Sequence, residues 1–157
     1  MKKLIFIIPL LFTSCVKKDI SSIIIQNDQS SELNLFKGKY LVHFMEKEDA
    51  NLKFSISEDE IIVIKKTYHN LNINNYEKEL LITDNSQQII MPSSYTIYNI
   101  NFSDGSNQIF KINTDLKKNP LERRQYKQLY KFINKINDII KTKKEIYNAP
   151  KSDLRYM

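Results

Sequence analysis

Residues 95–113 read YTIYNINFSDGSNQIFKIN, and residues 119–140 read NPLERRQYKQLYKFINKINDII. The two stretches decide the fold between them. The first is a hairpin: the aromatic and β-branched runs Tyr95–Phe102 and Gln108–Asn113 are joined through Asp104-Gly105. That dipeptide enters the left-handed backbone a tight turn needs at little steric cost. The second is a helix. Asn119 caps it, Pro120 fills a first position where a missing N–H costs nothing, and Glu122 faces the positive end of the dipole. Behind them Tyr126, Leu129, Ile133, Ile136 and Ile140 recur at alternating threes and fours, which is one apolar stripe. Asn148-Ala149-Pro150 ends it. A helix with that stripe must cover an apolar sheet face or plug the end of a barrel.

Upstream of the hairpin the period is two. Phe36, Gly38, Tyr40, Val42 and Phe44 share one face of a strand, with Lys37, Lys39 and His43 on the other. Leu52, Phe54 and Ile56 continue the alternation after the polar turn from Glu48 to Asn51. Glu60 to Tyr68 reads as a central, doubly covered strand, because Ile61 to Ile64 is apolar on both faces. Asn70 to Asn75 is a loop, and Tyr76–Thr83 with Gln88–Met91 reads as a second hairpin through Asp84 to Gln87. The expectation is an α+β fold: an antiparallel meander sheet, or partly open barrel, of about seven strands packed with one C-terminal amphipathic helix. It is a single domain over residues 35–148, followed by a tail at 149–157.

The N-terminus reads MKKLIFIIPLLFTSC. Lys2 and Lys3 precede an apolar run from Leu4 to Phe12, too short for a hydrocarbon core that needs roughly 20 residues. It fits the apolar core of an export signal. With Thr13 and Ser14 ahead of Cys15, the segment resembles the lipobox of bacterial lipoproteins, although Phe12 stands where that motif has an aliphatic residue. The resemblance implies a signal peptide over residues 1–14 and acyl chains on Cys15. Two or more chains are enough for stable anchoring. It also implies a cell-envelope address, with Val16 beside the cysteine favouring the outer membrane where the host has two. Residues 15–34 then read as the lipidated cysteine and a tether, roughly 20–25 Å in r.m.s. length if unstructured, with a short strand at Ile23 to Ile25 folded back onto the domain as the alternative. The strand and helix order is similar to pleckstrin-homology-like folds, and Gly38-Lys39-Tyr40 faintly resembles the Gly-x-Trp of lipocalin-like barrels. Neither likeness implies a function.

Composition narrows the chemistry. The formal charge is +6, and loss of Lys2 and Lys3 with the signal leaves +4. Nearly all the cations are lysines; Arg123, Arg124 and Arg155 are the only arginines. That bias argues against nucleic acid, where the bidentate arginine fork is favoured. Gly38 and Gly105 are the only glycines, so there is no P-loop, dinucleotide fingerprint or nucleophile elbow. Cys15 is the sole cysteine, so no disulfide can form within the chain. His43 and His69 lack the spacing of a zinc site and read as solvated. The clusters Glu46, Glu48, Asp49 and Glu58, Asp59, Glu60 read as solvated turn carboxylates. No catalytic residue, metal or cofactor is expected.

One patch points to a partner. Arg123, Lys127, Lys131 and Lys135 follow one another at i, i+4 on the polar side of the C-terminal helix, with Lys141, Lys143 and Lys144 beyond. Such a face is either simply solvated opposite the core stripe or meets anionic headgroups or an acidic protein. The expected function is a lipid-anchored, non-enzymatic envelope module that binds a protein, for example as an immunity or inhibitor lipoprotein. The alternatives are a carrier of a small apolar ligand, which would keep an unfilled apolar cavity, and an accessory lipoprotein of a larger envelope assembly.

Overall fold

The hairpin at residues 95–113 forms as its turn chemistry demands. The computed structural model describes residues 18–83, 94–114 and 119–154. Tyr95–Phe102 (β6) and Asn107–Asn113 (β7) pair antiparallel, from Tyr95 opposite Asn113 to Asn101 opposite Asn107. Gly105 takes φ +80° in the turn, and Asp104 Oδ1 accepts from the Ser106 N–H at 2.9 Å.

Around this hairpin lies a seven-stranded open sheet. The other strands are Ile20–Asn27 (β1), Ser31–Asn34 (β2), Lys39–Val42 (β3), Ala50–Lys53 (β4) and Glu79–Ile82 (β5), and the order is β4-β3-β2-β1-β6-β7-β5. The α+β expectation is met, with the sheet open and mostly antiparallel. Its connectivity departs from a pure meander: the chain runs β1 to β4 outward to one edge, crosses to the other, and lays β5 parallel to β7. The proposed partner strand at 88–91 lies outside the described residues.

The crossing element is a helix. Glu58–Asn70 (α1), read above in large part as a central strand, is helical because Ser57 and Glu60 form a capping box. Ser57 Oγ accepts from the Glu60 N–H at 3.2 Å, and Glu60 Oε2 accepts from the Ser57 N–H at 2.8 Å. With the helix set, Ile64 and Tyr68 are buried, while Ile62 and Val63 are exposed.

A second correction concerns residues 15–34. Residues 20–34, assigned to a tether, form β1 and β2, and β1 is a central strand, paired with β2 on one side and β6 on the other. The domain therefore begins at Ile20, not residue 35. The alternation in β1 is hidden by an irregularity between Ile20 and Ser22, which brings Ile20 and Ile23 both into the core.

The C-terminal stripe forms Lys127–Lys141 (α2), preceded by 3₁₀ turns at Pro120–Glu122 and Arg124–Tyr126 and followed by the short helix Lys144–Tyr147 (α3). Asn119 caps the first 3₁₀ turn and not α2: its Oδ1 accepts from the Leu121 N–H at 3.0 Å, the chain is extended at Arg123, and α2 starts after Tyr126 without a side-chain cap. The buried set is Leu129, Phe132, Ile133, Ile136 and Ile139, so Phe132 and Ile139 join the stripe read from the sequence. Both long helices pack on one sheet face, against residues such as Ile23, Ile25, Ile100 and Phe110. The residues at 149–157 were read as a tail. Within 149–154 the chain is tied down: Ser152 Oγ donates to the His43 carbonyl (2.6 Å), and Asp153 Oδ1 accepts from the Met45 N–H (3.0 Å).

Candidate functional site: the outer face of the C-terminal helix

The buried stripe fixes how α2 lies, and the basic row follows from that orientation. Lys127, Lys131 and Lys135 are all exposed. Among the described residues none of the three meets a carboxylate. Arg123 lies apart, half-buried at the junction of the two 3₁₀ turns and already engaged. Lys141 lies 3.9 Å from Asp138, and Lys144 is exposed at the start of α3.

Lys143 leaves the row altogether. Its Nζ contacts Glu60 Oε1 at 2.7 Å and Oε2 at 2.8 Å, with the two side chains only 12% and 25% exposed. The ammonium, then burial working against it, then the Ser57 N–H act on the Glu60 carboxyl, whose pKa comes out below its ordinary value. Glu60 is thus no turn carboxylate: it caps α1 and ties it to the end of α2. The sequence carried the signal in Ser57-x-x-Glu60.

The two helices divide the covered face. α1 lies over the Ile20 end of the sheet: Lys65 Nζ donates to Asp19 Oδ2 at 2.8 Å, and the Tyr68 ring meets Phe102 edge-on at 5.9 Å. Tyr68 also donates its hydroxyl to Gln108 Oε1 (2.7 Å), and burial raises its pKa to about 12. α2 lies over the other half, where Asn137 Oδ1 is 3.4 Å from the Tyr98 hydroxyl and Tyr98 pairs with Ile25. The Tyr98 hydroxyl too is pushed up to about 12 by burial and stays neutral.

Along the far side of α2 runs a seam of three adjoining clefts of about 310, 300 and 500 Å³. Thr96, Tyr98 and Asn137 are shared by the first two, and Asn27, Tyr40 and Ile146 by the second and third. Amides and hydroxyls make up much of the lining, with Ile112, Ile133 and Ile140 among the apolar walls. No periodicity announces this seam, because its residues come from five strands and two helices.

His43, read as solvated, is held in place: its Nδ1 lies 2.8 Å from Asp49 Oδ2. That contact, opposed by burial and helped by the Phe44 N–H donating to the same carboxyl, lowers the Asp49 pKa. Ser152 is near, but its hydroxyl donates to the His43 carbonyl and not to the ring. The trio clamps the β3–β4 loop to the C-terminal segment. Among the described residues no group of three or more His, Cys, Asp or Glu is arranged to hold a metal ion, and no helix is long and apolar enough to cross a membrane. Cys15 lies outside the described residues. No protein-family model matches this chain, and no curated protein or solved structure matches it.

Proposed function

We propose that the protein is a lipid-anchored, non-enzymatic module of the bacterial envelope that offers the outer face of α2 to an acidic protein partner. An inhibitor or immunity lipoprotein is one concrete form. The observation that carries this reading is the row Lys127, Lys131 and Lys135, exposed and without carboxylate partners among the described residues, on a helix locked by its own buried stripe. Its position favours a protein over headgroups. If Cys15 is acylated, the Ile20 end of the sheet lies nearest the bilayer, and α1 stands between that end and α2. Surface potential decays with a Debye length of about 8 Å in physiological salt, and the helix spacing of about 8–10 Å that α1 adds weakens it further at α2.

A photo-crosslinking residue at position 131 of the full lipidated chain, activated in the host envelope, tests it. The expected result is one protein adduct at fixed stoichiometry, weakened by high salt and by Lys127→Glu with Lys135→Glu. Adducts to lipid alone, or an adduct indifferent to both changes, would overturn it.

The seam of clefts favours a second reading, a carrier of a small ligand. Its lining mixes asparagine, threonine and tyrosine with isoleucine and leucine, which suits a small apolar ligand that carries a polar group. Native mass spectrometry separates the two: a retained increment of a few hundred daltons, lost on denaturation, identifies a carrier.

A further inference from the structure

The lysines at the other end of the molecule form a second charged surface. β2 runs antiparallel to β1 with Asn34 opposite Ile24, and the Leu35 N–H donates to the Ile23 carbonyl. The β2–β3 turn therefore lies beside the start of β1. Lys37 projects from that turn, and Lys39 and Lys53 follow on β3 and β4, directly opposite each other on the uncovered face of the sheet. Like charges so paired, with Cβ atoms about 5 Å apart, repel. Among the described residues no carboxylate lies within ion-pair distance of any of the three, and Glu32 stands only diagonally across from Lys39.

The acids of this region are already engaged or face elsewhere. Asp19 is held by Lys65, and Asp104 lies 3.3 Å from Lys18. Glu32, higher on the same face, accepts from Gln26 Nε2 at 2.9 Å. Glu77 and Glu79 stand at the opposite edge, where β5 begins.

The chain outside the described residues supplies the geometry. Cys15 is three residues from Lys18, a covalent reach of at most about 11 Å. At about 4.8 Å per strand, β3 and β4 lie about 10 and 14 Å to one side of β1. An acylated Cys15 therefore brings the lysine corner to within one or two Debye lengths of the headgroups.

We propose that Lys37, Lys39 and Lys53 form a binding surface for the anionic headgroups of a bilayer, tipping the domain onto its β3–β4 edge with α2 held away. This inference rests on the proposed lipid attachment at Cys15. The like-charge pair then finds its counterions in the bilayer, while the acidic corner at Glu77 and Glu79 lifts from it. Each lysine near an anionic surface strengthens the contact about fivefold.

Lysine footprinting tests it on the full acylated chain, with a membrane-impermeant amine reagent. The vesicles are phosphatidylcholine alone, or phosphatidylcholine containing one-third phosphatidylglycerol. Labelling of Lys37, Lys39 and Lys53 is expected to fall about fivefold in the anionic vesicles, with Lys78, Lys127, Lys131 and Lys135 unchanged. Lys39→Glu with Lys53→Glu, both exposed and so expected to leave the circular dichroism unaltered, should restore labelling of Lys37. Equal labelling in both vesicles, or protection of the α2 lysines instead, would overturn the proposal. Intact mass and flotation keep the two failures apart. An acylated, floating protein with a flat footprint sinks the headgroup surface alone, whereas a protein without acyl mass sinks the lipid anchor as well.

Discussion

Gly38 and Gly105 both have positive φ, +59° and +80°, but they carry different constraints. A Cβ on Gly38 would sit 2.1 Å from the carbonyl oxygen of Phe54, while one on Gly105 would meet nothing within 4 Å. Gly38→Ala must therefore break the tie between the β2–β3 turn and the end of β4, where the Phe54 N–H donates to the Gly38 carbonyl. Its expected cost is about 3 kcal/mol, against about 1 kcal/mol for Gly105→Ala, whose penalty is left-handed backbone strain alone. Urea denaturation of the two variants checks the contrast. Gln108 is the other singular residue. It is buried in the core, accepts from Tyr68, and donates through Nε2 to the carbonyls of Ile73 (3.2 Å), Tyr76 (3.0 Å) and Glu77 (3.3 Å). That one amide pins the loop after α1 to β7. Gln108→Leu leaves the buried Tyr68 hydroxyl without its acceptor and the Tyr76 carbonyl without this donor, and a loss of about 2–4 kcal/mol is expected in the same assay. Nothing local in the sequence marks Gln108, since its partners lie 31 to 40 residues away.

At the scale of elements, α1 depends on its first turn. The Glu60 carboxyl is held below its ordinary pKa by Lys143 and the Ser57 N–H. A depressed folded-state value means that its stabilisation is present above the unfolded carboxylate range and is lost as pH falls through the folded value. Glu60→Gln keeps an acceptor for the cap but loses the ion pair. It should cost about 1–2 kcal/mol at neutral pH and flatten the acid limb of the stability profile, read by thermal melts from neutral to acid pH. For α2 the core stripe governs: Leu129→Ala, at a site with no exposure, should cost about 3 kcal/mol in urea denaturation. The same two helices show what was legible. α2 announced itself because its apolar positions keep helical spacing and its polar side stays polar. α1 did not, because Ile61–Ile64 is a continuous run that periodicity cannot assign, and only the Ser57–Glu60 cap decides it. β1 was hidden by its irregularity between Ile20 and Ser22, which breaks the alternation a strand is read by. The hairpin at Asp104-Gly105 was plain because its determinant is two residues long.

At the scale of the molecule, the proposed acylation predicts that Cys15→Ser releases the protein from membranes and removes the acyl mass, checked by fractionation and intact mass spectrometry. Of the charged surfaces, the row on α2 could be read from spacing, whereas the lysine corner could not. Lys37, Lys39 and Lys53 become neighbours only when β3 and β4 pair, and they lie at the end of the sheet where the chain enters only because β1 begins at Ile20. The central position of β1 has a mechanical consequence. Any pull on the chain at residue 18 enters the sheet along a strand bonded on both sides, to β2 and β6. The load is carried in shear by two hydrogen-bond ladders at once, not peeled from an edge one bond at a time. If Cys15 is acylated as proposed, the domain can be tugged away from a membrane without unravelling from its point of attachment.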